Sequence, residues 1–348
     1  GVKLAEEDYT ATSGTAIVLA QGASADDIVE IIAFDVFSVA DTVSKSAGGT
    51  FDGNITAAGT ITVTGNADLN GDLDVDGTTN LDAVDVDGAV NFAADVTFAD
   101  GADIITASAG NNNTRVGTNA GFSIASGGNS NVCIGDEAGR SLTTGDNNIA
   151  IGHEALYSEN AHGQNIAIGY RSLKALDAGA EANNVGIGYL AGQAISTGIQ
   201  NTLIGGLAGD ALADADYNVA LGYAALSADT QGSLSTAIGK SALATQNLSS
   251  ATNAFNVAVG AGAGEQVTTG VENTLVGGVA GDALTDADFN VAIGYRALTT
   301  DTLGNRSTAI GYNALQTQNF TSATDTYNTA VGFFAGTAVS TGIKNTII

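Results

Sequence analysis

The most regular feature of the sequence is a glycine that follows a branched aliphatic residue and recurs at a nearly constant interval from position 117 to position 332. Three places before it stands Val, Ile or Thr, and the residue between these two positions is usually Ala. Because side chains alternate along a strand, this pattern predicts short strands that are apolar on both faces. The repeat glycines are Gly117, Gly135, Gly152, Gly169, Gly188, Gly205, Gly222, Gly239, Gly260, Gly277, Gly294, Gly311 and Gly332.

The repeats predict a parallel β-solenoid with one coil per about 17 residues and rungs about 4.8 Å apart. Each coil is expected to contain a short strand, a bend, a second short strand and a polar loop. The segments 201–272 and 273–344 align without a gap, so the sequence also repeats over a longer period that spans four coils. The insertions at 249–254 and 321–326 share one phase, which predicts loops on one flank.

The two apolar faces of the strand also suggest an oligomer. We expect one face to fill the coil and the Ala face, which includes Leu203 and Leu275, to pack against sister chains. An apolar stripe of this length is unusual on the surface of a monomer. Cyclic symmetry closes such an interface, so the sequence predicts a homotrimer.

Composition divides the chain into four predicted segments. These are a small N-terminal β domain (1–40), a linker (41–48), an acidic stem of short hexapeptide-like β repeats (49–108) and the solenoid (109–348). The chain has no Met and begins at Gly1, so we interpret it as an internal piece of a longer polypeptide.

Charge and composition exclude several functions. With 37 acidic and 10 basic residues the net charge is −27, which argues against a phosphate-backbone partner. A single cysteine gives no intrachain disulfide, and two histidines leave little for acid–base catalysis. No apolar run is long enough for a membrane span. We therefore predict no enzyme, no cofactor, no nucleic-acid binding and no membrane insertion.

Two groups of residues are candidates for binding. Asp72, Asp74 and Asp76 match the start of a calcium loop, but Ala83 stands where that loop needs Glu, so solvated turn aspartates are the simpler interpretation. Aromatic residues directly after the repeat glycine could stack on sugars or simply on one another. They are Tyr170, Tyr189, Tyr223, Tyr295, Tyr312 and Phe333.

Four further features suggest structural roles. His153 replaces Tyr in the aromatic column, and His162 lies in a loop without a Cys or second His at zinc spacing. Cys133 fits a small packed position, and three copies could approach one another in a trimer. Two carboxylate pairs occupy the same place in successive four-coil units, which favours solvated loop residues over a glycosidase site. The pairs are Asp214 with Asp216 and Asp286 with Asp288.

The phrases Asn165-Ile-Ala-Ile-Gly-Tyr-Arg-Ser-Leu173 and Asn290-Val-Ala-Ile-Gly-Tyr-Arg-Ala-Leu298 resemble the head repeats of trimeric autotransporter adhesins. They are even more similar to arrays in tail fibres of marine and cyanobacterial phages. The stem phrase Gly71-Asp-Leu-Asp-Val-Asp-Gly77 resembles the stem of such fibres. The resemblance implies a trimeric fibre with receptor binding at its distal end. Adhesin repeats are shorter, and no coiled-coil stalk or membrane anchor is evident, which favours the phage fibre.

From residues and resemblance together we expect a structural protein, a segment of an extracellular virion tail fibre. It would project a distal receptor-binding tip and support attachment to the host cell. Its expected partners are two copies of itself, other fibre or baseplate proteins, and a host surface glycan or protein. The alternative is a bacterial cell-surface trimeric adhesin or extracellular filament subunit. A polysaccharide-degrading tailspike would need unique carboxylates in a groove, which the sequence does not suggest.

Overall fold

In a computed structural model of the chain, the described residues are 9–10, 18–22, 57–58, 60–67 and 109–348. Every regular element in these segments is a β-strand, which confirms the all-β fold class for this part of the chain. Within the same segments, no helix has the length and apolar character that crossing a membrane requires.

The chain divides into two compact units, Gly1–Ala93 and Ala94–Ile348. In the first unit, strand β1 (Tyr9–Thr10) pairs antiparallel with β2 (Val18–Leu19). Most of the predicted N-terminal domain, linker and stem lies outside the described residues, so their boundaries stay predictions. The candidate calcium ligands Asp72, Asp74 and Asp76 lie outside them as well.

The second unit is a parallel β-solenoid in which each coil adds one short strand to a continuous 14-stranded sheet. Neighbouring strands follow sequence order and pair residue for residue, as Ala150 does with Ala167. The predicted solenoid of about 14 coils is therefore confirmed. Its strands are β3 (Thr114–Val116), β4 (Val132–Ile134), β5 (Ile149–Ile151), β6 (Ile166–Ile168), β7 (Val185–Ile187), β8 (Thr202–Ile204), β9 (Val219–Leu221), β10 (Gly232–Ser233), β11 (Thr236–Ile238), β12 (Thr252–Asn253), β13 (Val257–Val259), β14 (Thr274–Val276), β15 (Val291–Ile293), β16 (Gly304–Asn305), β17 (Thr308–Ile310), β18 (Thr324–Asp325), β19 (Thr329–Val331) and β20 (Thr346–Ile347).

Four of these strands lie outside the main sheet. They form two short parallel pairs, β10 with β12 and β16 with β18, and β12 and β18 lie within the two predicted insertions. In the other described coils the expected second strand is absent, and bends and turns take its place. That part of the prediction is wrong because the chain uses left-handed backbone there, as at Leu156 (φ 50°) and Arg171 (φ 54°). Such residues bend the chain too sharply for extended pairing.

The strands turn their small central residue into the coil. Ala150 and Ala167 are fully buried, whereas the aliphatic residues on either side of each are only partly buried. The prediction that the Ala face packs against sister chains is therefore wrong, since Leu203 and Leu275 on that face are also fully buried within one chain. The face that points outward carries Val, Ile, Leu and Thr instead.

The reason is the narrow interior of each coil, which alternates large and small residues between layers. Leu203 is flanked by Gly192 and Gly209, where an added Cβ would approach its methyl groups to 2.7 and 2.9 Å. Leu203 and Leu212 fill this layer together, and close packing of this kind leaves no room for a side chain at Gly209 between them. Small residues at the strand centre thus mark the inside of a thin column.

Candidate functional site

The outward face of the main sheet forms a largely aliphatic surface, which we call the outer stripe. It consists of the first and third residues of each three-residue strand in that sheet. The third residue of every such strand is Val, Ile or Leu, whereas the first is Val, Ile or Thr. Most of these side chains are partly buried, and the more open ones include Val116 (55% exposed), Leu221 (43%) and Ile293 (37%). Scattered apolar residues are normal on a monomer, but an unbroken row over the whole sheet is typical of a surface that another molecule covers.

The repeat glycines place the next residue at the side of the column. Gly205 has a φ of +134°, and a Cβ there would lie 2.5 Å from the carbonyl oxygen of Gly222 in the next coil. The same close contact recurs along the column, so the turn after each strand requires glycine. Because every coil turns in the same way, the residues that follow these glycines lie above one another.

The aromatic residues after the glycines form two stacks. In the first, His153 lies 5.3 Å from Tyr170, and Tyr170 lies 5.5 Å from Tyr189, between ring centroids. In the second, Tyr295 lies 5.6 Å from Tyr312, which lies 5.3 Å from Phe333. All six rings are stacked with interplanar angles of 10° to 23°. His153 therefore lies in the aromatic column, as its sequence position predicted.

Stacking determines which parts of the rings remain open. Within a stack the faces lie against neighbouring rings, and mainly the edges reach solvent. The column is interrupted where it carries no ring, at Gly206, Lys240, Ala261 and Gly278. Tyr189, Tyr223 and Tyr295 therefore each have at least one face without a neighbouring ring among the described residues. Tyr223 is 57% exposed and Tyr189 is 56% exposed. Contact between the aromatic column and a glycan stays a prediction, and these open faces are where a sugar could lie flat.

Charged side chains surround the first stack. The Arg171 guanidinium lies 5.0 Å from the Tyr170 ring centroid, and its Nε contacts Glu154 Oε2 at 2.5 Å. Lys174 Nζ reaches the same oxygen at 2.8 Å. Hydrogen bonds from Lys174 and Arg171 hold the pKa of the Glu154 carboxyl below its usual range, despite an opposing effect of burial. The cluster fixes Arg171 beside an otherwise apolar column of rings.

A ladder of buried asparagines, which the sequence reasoning missed, runs inside the column four residues before the repeat glycines, with Ser235 and Ser307 replacing Asn in two coils. Each side-chain oxygen accepts a hydrogen bond from the backbone N–H of its counterpart one coil on, at 2.8–3.1 Å. Most of the Nδ2 groups donate to loop carbonyls fourteen residues further along the chain, at 2.7–3.1 Å. The regular recurrence of Asn was the signal that could have revealed it.

Buried carboxylates occur seven residues after some repeat glycines, where most coils carry Leu, Ile or Val. Asp229 Oδ1 accepts from the backbone N–H of Gly232 (3.0 Å) and Leu248 (3.2 Å). Its Oδ2 accepts from Gln246 Nε2 at 2.5 Å, and Gln246 Nε2 also donates to Ser235 at 2.9 Å. The same arrangement recurs one four-coil unit later around Asp301, Gln318 and Ser307. Each of these acids has donors on both oxygens.

Glu159 is the third fully buried carboxylate in this position, and its surroundings differ. Its Oε1 accepts from the backbone N–H of Asn160 (3.0 Å) and His162 (3.1 Å), while Oε2 has a long contact to Ala178 N at 3.4 Å. Burial raises the pKa of the Glu159 carboxyl despite these hydrogen bonds. One ligand atom each from Glu159, His162 and Asp177 lies within 4.8 Å of the other two, which is a spacing that could hold a metal ion.

The remaining predicted residues have structural surroundings. Asp216 Oδ1 accepts from the backbone N–H of Ile199 at 2.8 Å, and Asp214 accepts from Thr197 at 2.7 Å. The pair Asp286 and Asp288 repeats both bonds, so these carboxylates join successive coils. Cys133 is fully buried at the centre of β4. The suggestion that three copies approach one another is therefore wrong, because the thiol lies inside its own coil.

Comparison with protein-family models, with curated proteins and with solved structures finds no match to this chain. The interpretation of its function therefore rests on the geometry of the outer stripe, the aromatic column and the buried polar residues.

Proposed function

We propose that the chain is a segment of a homotrimeric structural fibre, most consistent with a phage tail fibre that holds a distal tip away from the virion. The observation that supports it is the outer stripe, whose aliphatic third residues form a row that stays partly exposed along the main sheet of a single column. Three columns packed around one axis would cover all three stripes at once. Burial of apolar surface contributes about 25 cal/mol per Å², so a long contact of this kind favours association strongly.

The proposed role is mechanical. Every coil contacts the next through the main sheet, the asparagine ladder and the close approach of the repeat glycines. A column whose coils are joined at several points in this way resists bending. Three such columns that share a covered stripe would act as a stiff spacer. The partly exposed tyrosines on the flank of each column would offer repeated contacts to a host surface glycan, with avidity supplied by three chains.

The same stripe suits a second candidate, a bacterial cell-surface adhesin or extracellular filament subunit of the same architecture. Genes for baseplate proteins beside the coding sequence would support the phage fibre, whereas an outer-membrane anchor encoded in the same reading frame would support the adhesin. No catalytic role is part of either proposal, because the duplicated carboxylate pairs join coils to one another.

The molar mass in solution tests the trimer. Light scattering on the purified chain should give three times the chain mass of 34.4 kDa, unchanged on dilution through the micromolar range. A single-chain mass at every concentration would overturn the homotrimer and with it the role of the outer stripe. A dimeric mass would also overturn it, because two columns would leave no threefold axis.

A further inference from the structure

The four-coil repeat gives an internal comparison for the buried carboxylate at Glu159. In the two complete copies the corresponding acids are Asp229 and Asp301, and a glutamine from the next coil donates to each of them. In the coil that follows Glu159, the position of that glutamine is occupied by Leu176, which has no donor. The third acid is therefore buried without the group that satisfies the other two.

Besides the glutamine position, two further positions around Glu159 differ from the corresponding coils at Asp229 and Asp301. His162 stands where the other copies have Gly232 and Gly304, and Asp177 stands where they have asparagine. The two substitutions bring an imidazole and a second carboxylate to Glu159. Among the described coils that carry a buried acid at this position, this is the one whose successor lacks the glutamine. A solvated loop would not need these three changes together. Leu176 removes the donor that occupies the acid in the sister coils, and His162 and Asp177 supply ligands for a cation.

The distances suit a metal ion with nitrogen and oxygen ligands. His162 Nδ1 lies 3.4 Å from Glu159 Oε1, is shielded from solvent, and makes no hydrogen bond to any described residue. Two ligands at about 2.1 Å from a tetrahedral zinc ion are separated by about 3.4 Å. Asn160 Nδ2 donates to Asp177 Oδ1 at 3.0 Å, which orients this carboxylate as outer ligand partners commonly do.

We propose that Glu159, His162 and Asp177 form a binding site for a divalent transition-metal ion of the zinc type. The imidazole excludes calcium and magnesium as preferred ions, since both favour oxygen ligands alone. With three protein ligands, a water molecule completes the tetrahedron. Asp177 belongs to the coil after the one that carries the other two ligands, so the ion joins successive loops where Gln246 and Gln318 join them elsewhere.

Calorimetric titration of ZnCl₂ into the tag-free chain tests this site. We expect saturable heat at one Zn²⁺ per chain, no comparable heat with CaCl₂ or MgCl₂, and visible absorption of a tetrahedral complex when Co²⁺ replaces Zn²⁺. Absence of saturable zinc binding would overturn the proposal, and so would stronger binding of calcium than of zinc.

The chain itself supplies variants that should fold. His162→Gly and Asp177→Asn install the residues of the sister coils, so neither removes a group that the column needs. We expect His162→Gly and Asp177→Asn each to lower zinc affinity by at least about tenfold, because loss of even a hydrogen-bond partner of a metal ligand commonly costs about 10–100-fold. The control is His153→Tyr, which removes the other histidine and restores the usual residue of the aromatic column. Zinc binding that survives His162→Gly, or that disappears with His153→Tyr, would overturn the assignment.

Discussion

At the scale of single residues, the repeat glycines allow the coils to approach one another. We predict that Gly205→Ala lowers the free energy of unfolding by about 2–4 kcal/mol, because the new methyl group meets the Gly222 carbonyl at 2.5 Å and the backbone has a φ of +134°. A guanidinium titration of both chains measures the difference. Its matched control is Gly206→Ala, where the nearest atom is 3.5 Å away and belongs to the flexible Tyr223 side chain. Equal losses for the two variants would contradict this account.

The lone cysteine offers a second test at this scale. Burial raises the pKa of the Cys133 thiol to about 11, with a smaller opposing effect of Arg115. Only about 0.1% of the thiol is then ionised at pH 8, and the thiolate is the reactive form. We predict negligible reaction with Ellman's reagent in the native chain, an increase as the pH rises toward 11, and complete reaction in guanidinium. Rapid native labelling at pH 8 would show that the thiol is not inside the coil.

Some residue roles followed from the sequence and others did not. The glycine positions were predictable because one residue type recurs at one phase, and only glycine tolerates that backbone. The face of the small residue was predicted wrongly, because alanine suits both a narrow interior and a close chain–chain contact. The cluster of Glu159, His162 and Asp177 was missed because only the stacking of coils brings Asp177 to the other two, which lie three residues apart in one loop.

At the scale of the element, the asparagine ladder joins each coil to the next just before its main-sheet strand. We predict that Asn201→Asp costs about 3–5 kcal/mol of unfolding free energy. The Nδ2 group that donates to Ala215 O (2.7 Å) and Asn184 Oδ1 (3.2 Å) would become a buried oxygen facing two acceptors.

The control for this element is Asn183→Asp, close by in the chain. Asn183 is exposed and has a φ of 52°, which aspartate tolerates, so its replacement should change stability by less than about 0.5 kcal/mol. Thermal or denaturant unfolding of the parent chain and of both variants measures the difference in unfolding free energy. If Asn201→Asp were as stable as the control, the ladder would contribute little to the column.

The strands themselves were predictable in position, pairing and register, because hydrophobic alternation and the repeat interval are local properties of the sequence. The backbone conformation of the turns was harder to predict from the sequence. Left-handed residues occur at leucine and arginine as well as at glycine and asparagine, and such positions have no reliable signature in one sequence. The ladder was also hidden, since asparagine is normally typical of exposed loops.

At the scale of the whole molecule, the outer stripe gives a prediction that separates a column from an assembly. Ile293→Lys places a charge on a residue that is 37% exposed in one chain, so a single column should tolerate it. In the proposed trimer the same lysine would be buried without a partner. We expect light scattering to show loss of the trimer, with unchanged circular dichroism.

Its control is Ala180→Lys, which adds the same charge to an exposed loop and should leave the mass unchanged. If both variants kept the mass of the parent chain, the stripe would not be the contact surface. The net charge of −27 opposes association of the chains, so we expect added salt to strengthen it by screening.

The in-register stacking has a consequence for how the length of this molecule can change. Because the repeat glycines at 188, 260 and 332 are evenly spaced, a duplication or deletion of the block between two of them adds or removes four complete layers. Every lateral surface would continue in phase across the junction. Recombination between these similar segments can therefore change the length of the column in steps of four coils and keep the repeated contacts between coils.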